Sequence, residues 1–315
     1  MIQQNIVLSP IGGNEPMQLI KKEGVTLAYQ DINPGSPPML FVHGWGCDHT
    51  SFAQQAEFFR RSHRVVSVDL RGHGKSDAPH QDYTMATLAD DLGWVCAELA
   101  LTKPIVVGHS MGGNVVLELA ARYPEIPASV VLIDSVILPH QSILDALQPM
   151  VEALRGPDYR AAYQQVLLAI CLPDDDETRR AQLIASLPKA PQHVVASTFR
   201  NHLTDYDVTP AAAGCRVPIA YIGAAIALAD LIQFRSLTPH LLTAQTLGSG
   251  HFSPLFVPDQ INAMLSTFVE LYSPAAKASR WANLRENQKK TIRRAVGNHA
   301  ASIPQSGNKS LRETR

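Results

Sequence analysis

The sequence lacks a dominant charge of either sign, a close pair of cysteines and a long apolar run. Its 315 residues carry 27 Lys and Arg against 28 Asp and Glu, a formal net charge of −1. Because a nucleic-acid-binding surface needs an excess of basic residues, we expect no nucleic-acid partner. No apolar run approaches the ~18 residues of a membrane-spanning helix, so we expect no stable membrane insertion.

The four cysteines lie far apart, at positions 47, 96, 171 and 215. No CxxC pair and no histidine at metal-ligand spacing accompanies them, so we expect reduced thiols and no metal site. No P-loop is present and no GxGxxG follows the first strand, so we expect no cofactor. The first ten residues, MIQQNIVLSP, have neither the basic region nor the apolar segment of a signal peptide. These absences together predict a cytoplasmic protein.

Short apolar runs alternate with segments of helical period in much of the chain. Strands buried on both faces are typically short, continuous Val, Ile and Leu runs, so the alternation predicts an α/β fold with a mostly parallel, doubly wound sheet. The predicted strands are 17–21, 25–30, 39–42, 64–68, 105–107, 129–133, 218–222 and 242–247. The predicted helices of this pattern are 50–61, 85–101, 111–123 and 258–272.

The alternation stops after Asp134, and the next 75 or so residues show helical stripes without a convincing strand. We interpret residues 139–214 as a helical insertion. It separates a first part of the core, residues 17–138, from a second part, residues 215–274. Residues 275–315 form a tail with a different composition.

The stretch VVGHSMGG places Ser110 between Gly108 and Gly112, where a buried strand becomes a helix. This GxSxG pattern in a strand–turn–helix context is typical of a nucleophile elbow. The sharp turn strains the serine backbone, and the two glycines leave room where side chains would clash. Ser110 then projects at the carboxyl ends of the strands, where open α/β sheets bind ligands. We predict that Ser110 is a nucleophile.

A serine hydroxyl needs a base to become a good nucleophile. Among the 12 histidines, His251 lies in a glycine-flanked loop, GSGHF, directly after the last predicted strand. From there its ring can reach Ser110, so we predict that His251 is the base. His109 is adjacent to Ser110, but its side chain points elsewhere on a sharp turn, and we interpret it as structural. We expect His43 to shape the loop after its strand.

Attack on an ester carbonyl creates an oxyanion, which needs backbone N–H donors already in position. The N–H of Met111, the residue after the nucleophile, is one predicted donor. The second is the N–H of Trp45 in the sequence HGWG, which follows the third predicted strand. Gly44 lets this backbone approach the substrate closely.

Four motifs together resemble the α/β-hydrolase superfamily, and specifically its serine-nucleophile, carboxylesterase-like members with a helical cap. The motifs are HGWG at 43–46, DLRGHGKSD at 69–77, GHSMGG at 108–113 and SGHF at 249–252. The resemblance covers about residues 38–135 and 218–272. It implies the fold of that superfamily, a small-molecule substrate, and a cap over the site formed by residues 139–214.

The resemblance also implies a carboxylate that orients the base, after the strand that follows the cap. This chain has Ile226 at that position. Asp134, at the end of the strand before the insertion, is the replacement we favour, because some lipases and a lactone hydrolase take their acid from that strand. Asp230, four residues beyond Ile226, is the alternative. A dyad without an acid is the third option.

The hypothesis from the sequence is a serine hydrolase that cleaves a small, mainly apolar carboxylic ester or lactone. Carbon–carbon bond hydrolysis and perhydrolysis are related reactions that the sequence does not separate from it. Haloalkane dehalogenases and most related epoxide hydrolases use an aspartate at the elbow, so Ser110 argues against both.

Two other classes stay open. Cofactor-free ring-cleaving dioxygenases share the fold, and Asp134 and the stretch from Trp45 to His49 resemble them. However, Cys47 stands where that group tends to have a histidine. A ligand-binding member without catalysis is the other class, and Ile226, in place of the usual acid, favours it.

The charge of the chain is unevenly distributed. Residues 277–315 carry ten Lys and Arg and two Asp and Glu, a net charge of +8, so the remainder is acidic. Several apolar and neutral residues between Trp281 and Ala295 recur at helical spacing. One hypothesis is a basic amphipathic helix that contacts an anionic membrane surface or a second subunit of a homo-oligomer. The other is a solvated helix followed by a disordered end.

Overall fold

The computed structural model describes residues 16–32, 34–173, 175–185 and 188–272. Its strands are β1 Gln18–Lys22, β2 Val25–Ile32, β3 Met39–Val42, β4 Val65–Val68, β5 Ile105–His109, β6 Ser129–Ile133, β7 Ile219–Gly223 and β8 Leu242–Gln245. They form one sheet in the order β1-β2-β4-β3-β5-β6-β7-β8. The strand β2 pairs antiparallel with β1 and β4, and the other neighbours pair parallel. The predicted α/β fold class is confirmed.

The five central strands, β3 to β7, are buried at every position. Their apolar side chains, such as Leu40, Val106 and Leu132, are fully enclosed between the sheet and its helices. Each such side chain contributes roughly 1.5–3 kcal/mol of burial free energy. The edge strands β1 and β8 are exposed at most positions. The core of the molecule is therefore centred on β5, the strand that leads to Ser110.

The helices α1 to α3 and α9 to α11 belong to the alternating pattern. They are α1 Ala53–Phe59, which follows a 3₁₀ turn at His49–Phe52, α2 Met85–Glu98, α3 Met111–Arg122, α9 Leu231–Leu237, α10 Ser253–Phe256 and α11 Pro258–Tyr272. The helix α2 begins after Thr84, whose side chain accepts a hydrogen bond from Thr87 N at 3.1 Å, as expected for a capping residue. The short helices α9 and α10 were not predicted from the sequence.

Between β6 and β7 the chain forms helices and, in the described residues, no strand. They are α4 Gln141–Ala153, α5 Tyr159–Ile170, α6 Glu177–Ala185, α7 Gln192–Phe199 and α8 Thr209–Gly214. The helix α7 continues into a π-helical turn, Arg200–Thr204. In the part of residues 139–214 that the structure describes, the helical pattern therefore corresponds to five helices inserted between two neighbouring parallel strands.

The basic tail, residues 275–315, lies outside the described residues, and so does the helical spacing between Trp281 and Ala295. By its contacts the chain divides after Phe268, and only residues 269–272 of the second unit are described. Among the helices that the structure describes, none has both the length and the apolar character needed to cross a bilayer. All four cysteines are described, and all are free thiols.

Candidate active site

The turn between β5 and α3 carries Ser110 in a strained conformation, with φ 53° and ψ −123°. Its backbone is held on both sides, because Ser110 N donates to Ile133 O at 2.9 Å and Ser110 O accepts from Gly113 N at 2.9 Å. Serine at the position before a helix usually caps it with its hydroxyl. Here the Ser110 side chain forms no capping hydrogen bond, so its hydroxyl is left available for chemistry.

The glycines around Ser110 are required by the close approach of three backbone segments. A Cβ at Gly108 would overlap the carbonyl of Gly112, and a Cβ at Gly112 would overlap the carbonyls of Val42 and His43. A Cβ at Gly44 would lie 3.1 Å from Ser110 Cβ. The sequence therefore packs the loop after β3 directly against the elbow, as the position of Gly44 in HGWG predicts.

His251 lies in the loop between β8 and α10, and its ring meets Asp134. His251 Nδ1 is 2.8 Å from Asp134 Oδ2, and the two residues are only 5% and 1% exposed. A hydrogen bond from Nδ1 to the carboxylate leaves the Nε2 lone pair of a neutral ring free to accept a proton. The structure thus brings together the predicted base and the carboxylate that we favoured from the sequence.

Asp134 is fixed by its own set of partners. Oδ1 accepts from Ala224 N at 3.0 Å and from Tyr221 Oη at 3.4 Å, and Asp134 N donates to Ile222 O. Burial alone would raise the pKa of this carboxyl group, but the hydrogen bonds from His251 and Ala224 outweigh it and hold the pKa below its ordinary value. Asp134 is therefore a carboxylate at neutral pH, able to stabilise a charged imidazole.

Asp230 has a different role in the structure. It precedes α9, and its Oδ1 accepts hydrogen bonds from Ile232 N at 3.0 Å and Gln233 N at 2.9 Å. This is the geometry of a helix N-cap. Ile226, at the position where the resemblance implied the acid, is 70% exposed. Of the two candidate acids, only Asp134 contacts His251 through a hydrogen bond that the structure describes.

Two further histidines, His109 and His43, form hydrogen bonds with the backbone of the loops around the site. His109 donates from Nε2 to the carbonyl of His251 at 2.9 Å, and burial lowers its pKa to about 3. His43 accepts from Leu70 N at 3.0 Å and donates from Nδ1 to Gly44 O at 2.8 Å. Both rings are therefore committed to holding backbone, which agrees with the structural interpretation of these residues from the sequence.

The loop after β3 carries the predicted oxyanion donor Trp45. Its indole Nε1 donates to Val195 O of α7 at 2.9 Å, and its ring packs on Tyr163 and Phe199 at centroid distances of 4.5 and 5.0 Å. Among the described residues, neither Trp45 N nor Met111 N donates to a protein acceptor. Both N–H groups are thus available to a ligand, and their role as oxyanion donors stays a prediction.

Ser110 and His251 line one cavity of about 140 Å³. Its floor includes Gly44, Trp45 and His109 from the core. Its remaining walls are mostly apolar, and the inserted helices supply Ile143, Leu147, Val166, Leu167, Ile170, Phe199 and Leu203. A mostly apolar cavity with a few convergent polar groups is the usual form of a small-molecule site.

The inserted segment is also tied to the site by polar contacts. Lys189 Nζ lies 2.7 Å from Asp48 Oδ2, and Lys189 N donates to Gly46 O at 3.4 Å. On the other side of the cavity, His251 N donates to Ile170 O at 3.1 Å. The inserted segment therefore contacts both the loop of Trp45 and the loop of His251.

Sequence reasoning missed three residues that the structure places at or beside the site. Tyr221 reaches Asp134 from β7, Lys189 pairs with Asp48, and His202 lines the cavity from the π-helical turn. Tyr221 lies within the apolar run that predicts a buried strand at 218–222, and a tyrosine hydroxyl inside such a strand needs a hydrogen-bond partner. That need was a usable sequence signal for Tyr221. Lys189 and His202 lie in the inserted segment, where a single sequence does not show which helix faces pack against the core.

In the described ranges, no cluster of three or more His, Cys, Asp or Glu residues could hold a metal ion.

Comparison with protein families gives a match to the model of the alpha/beta hydrolase fold over residues 37–156. The bifunctional esterase/perhydrolase DCH of Acinetobacter calcoaceticus is 39% identical over 118 residues, which are 36% of this chain and 43% of that protein. Epoxide hydrolase 4 of Mus musculus is 35% identical over 127 residues, 39% of this chain and 34% of that protein. The chain thus matches less than half the length of these curated relatives.

Among solved structures, the enol-lactonase from Burkholderia xenovorans LB400 superposes with a TM-score of 0.70 at 22% identity. The superposition covers 80% of this chain and 99% of the lactonase. At this identity the likeness establishes a common fold over nearly the whole of the smaller protein.

Proposed function

Residues 37–156 match the alpha/beta hydrolase fold, which the chain shares with a solved enol-lactonase, and from that premise we propose that it is a serine hydrolase of small, mainly apolar carboxylic esters or lactones. The observation that carries the proposal is the hydrogen bond between His251 Nδ1 and Asp134 Oδ2 at a cavity shared with Ser110. This arrangement supplies a nucleophile, a base and an orienting carboxylate. The similarity to an esterase/perhydrolase and to an enol-lactonase supports the same reaction class.

The mechanism follows from the protonation states. Ser110 Oγ attacks the carbonyl carbon while His251 Nε2 accepts its proton, and Asp134 stabilises the resulting imidazolium. The N–H groups of Trp45 and Met111 donate to the oxyanion. His251 then returns the proton to the leaving alkoxide, which produces an acyl-enzyme. A water molecule, deprotonated by the same nitrogen, releases the acid and regenerates Ser110.

We further propose that residues 139–214 act as the cap that selects the substrate. Eight of the apolar side chains that line the cavity, Pro139 among them, come from the described part of this segment. A segment that supplies most of the apolar wall determines which acyl or ring groups fit. Because the described residues that line the cavity include no Asp, Glu, Lys or Arg, the proposed substrates are uncharged and small.

We also propose that the protein is located in the cytoplasm. Four free thiols, three of them buried, suit a reducing compartment.

The position of Asp134 on β6 also supports a second candidate, a cofactor-free ring-cleaving dioxygenase. Asp134 resembles the acid of that group, whose members also take the carboxylate that orients the histidine from this strand. A His251–Asp134 pair can remove a proton from a hydroxyl group of an aromatic ring as well as from a serine. For this candidate, Ser110 would bind the substrate without forming a covalent bond to it.

Two parallel assays test the proposal. We expect release of nitrophenol from p-nitrophenyl butyrate, lost in Ser110→Ala, and no oxygen uptake with a 3-hydroxy-4-quinolone. Oxygen uptake without ester hydrolysis would instead establish the dioxygenase. Neither reaction, combined with ligand binding in the cavity, would favour a non-catalytic member of the superfamily.

A further inference from the structure

The cavity contains one polar side chain that the proposed mechanism does not use. His202 comes from the π-helical turn Arg200–Thr204 and lines the cavity together with Ser110 and His251. It is 5% exposed. Single π-helical turns occur frequently at functional sites, because the extra residue per turn redirects a side chain. Among the described residues of the inserted segment that line the cavity, His202 is polar and the others are apolar.

The hydrogen bonds of His202 fix which nitrogen carries the proton. His202 Nδ1 lies 2.9 Å from Thr198 O, and because a carbonyl oxygen only accepts, Nδ1 donates. Burial, which outweighs the raising effect of the Thr198 carbonyl and is assisted by the nearby His251, lowers the pKa of His202 to about 4. The ring is therefore neutral at pH 7, and its Nε2 is an acceptor with a free lone pair.

Among the described residues, none forms a hydrogen bond with this Nε2. The nitrogen is also absent from the set of unpartnered side-chain atoms that solvent cannot reach, so a small probe can reach it. Since His202 is almost fully buried and lines the cavity, its accessible atom opens into the cavity. The Phe199 ring packs edge-on against the imidazole at a centroid distance of 6.2 Å. An acceptor in an apolar enclosure favours a ligand that supplies a donor over one that leaves it unpaired.

We propose that His202 is a specificity-determining residue that accepts a hydrogen bond from a neutral hydroxyl or amide N–H group of the substrate. The proposal rests on the proposed function and narrows its substrate class. It selects esters and lactones that combine apolar groups with one hydrogen-bond donor. It disfavours substrates that carry a carboxylate, because the carboxylate oxygens and His202 Nε2 are all acceptors.

Matched lactone pairs test this selection. The rate of ring opening is measured by the base needed to neutralise the released acid at constant pH. One pair is α-hydroxy-γ-butyrolactone and α-methoxy-γ-butyrolactone. The other is α-acetamido-γ-butyrolactone and its N-methyl derivative. In each pair methylation removes the donor and keeps the ring. We expect kcat/KM to favour a donor-bearing member by about ten-fold or more, the ratio expected for one hydrogen bond. The pair that shows the preference identifies the donor as hydroxyl or amide.

Three variants assign the preference to His202 Nε2. His202→Asn keeps an amide that can donate to Thr198 O but removes the outer acceptor, so the ratio within each pair falls to about one. His202→Gln places an amide oxygen where Nε2 was, so the preference returns toward that of the unaltered chain. His193→Asn, a histidine of α7 that does not line the cavity, leaves the ratio unchanged. A ratio that His202→Asn does not reduce would overturn the proposal.

Binding to Ser110→Ala separates this proposal from the proposed function. Calorimetric titration of the same four lactones into that variant does not depend on turnover. We expect tighter binding of the donor-bearing member, and the difference to vanish in the double variant with His202→Asn. Equal affinities within both pairs would contradict the role of His202. Failure to hydrolyse any ester or lactone, with the difference in affinity preserved, would contradict only the proposed reaction.

Discussion

His251 Nδ1 and Asp134 Oδ2 lie 2.8 Å apart although 117 residues separate them in the chain. Asp134 directly follows β6 and His251 lies in the loop after β8, and these two strands are separated in the sheet by β7 alone. Tyr221, in β7, and Ala224, directly after β7, donate hydrogen bonds to the second oxygen of the same carboxylate. The pair therefore depends on three neighbouring parallel strands ending at one edge of the sheet.

The first prediction concerns the identity of the acid. Asp134→Asn removes the negative charge and the acceptor that orients His251, so kcat/KM for p-nitrophenyl butyrate falls by about 10³–10⁴-fold. Asp230→Asn is the matched control, because asparagine caps a helix about as well as aspartate. Its activity and its unfolding free energy stay close to those of the unaltered chain. A large loss in Asp230→Asn with little loss in Asp134→Asn would reverse the assignment.

The second prediction concerns the ion pair between the inserted segment and the loop of Trp45. Lys189→Met removes the partner of Asp48 and keeps much of the side-chain length. Without the pair the backbone of the Trp45 loop is less well positioned, so kcat/KM falls by about three- to ten-fold, as for other small misplacements of a site. Lys75→Met, an exposed lysine in the loop after β4, is the control. Equal activity in both variants would show that the pair does not position the site.

The third prediction is a pH dependence of stability. Burial and the neighbouring His43 lower the pKa of His73 to about 3, whereas in the unfolded chain it is about 6.5. Between these values the unfolded state binds more protons, so stability contributed by the neutral ring is lost as pH falls below about 6.5. His73→Asn removes this titration. We expect its unfolding free energy to depend less steeply on pH than that of the unaltered chain.

Urea denaturation at several pH values between about 6 and 4 measures the difference, which should approach 1.4 kcal/mol per pH unit for one proton. Asparagine can still donate to Arg71 O, the carbonyl that His73 Nδ1 contacts at 3.1 Å. Parallel stability curves for the two proteins would show that folding does not lower the pKa of His73.

The fourth prediction concerns the basic tail. Deletion of residues 276–315 removes only residues beyond the helix α11, so we expect kcat/KM for a short-chain ester to change by less than about two-fold. Ester hydrolysis by the shortened chain at low and at moderate ionic strength is the measurement. A large loss of activity would mean that the tail reaches the cavity or an essential interface with a second subunit.

The strands and most helices of the core were predictable because each carries a continuous or periodic apolar pattern. The runs around Met39–Val42 and Ser129–Ile133 are short, continuous and apolar, which is typical of buried parallel strands. The helices α9 and α10 have seven and four residues. Elements this short do not contain enough turns for a helical period to emerge from the sequence.

Within the site, local signals predicted some residues and not others. Ser110 and His251 lie in motifs whose glycines reflect tight turns, so the chain itself indicates them. The choice between Asp134 and Asp230 depends on the path of the loop after β7, and no periodicity describes that path. His202 was missed for a related reason, because its access to the cavity depends on how the inserted helices pack on the core.

The covalent step on Ser110 is the central claim, and a burst experiment tests it most directly. The intact chain and Ser110→Ala are mixed with p-nitrophenyl acetate and butyrate, and the acylated peptide is identified by mass spectrometry after acid quenching. The account predicts a burst of about one equivalent of nitrophenol per chain when deacylation is slow. It also predicts an acyl group on the peptide that contains Ser110, and loss of both signals in Ser110→Ala. Ester turnover that persists in Ser110→Ala, or that proceeds without an acylated serine, would contradict it.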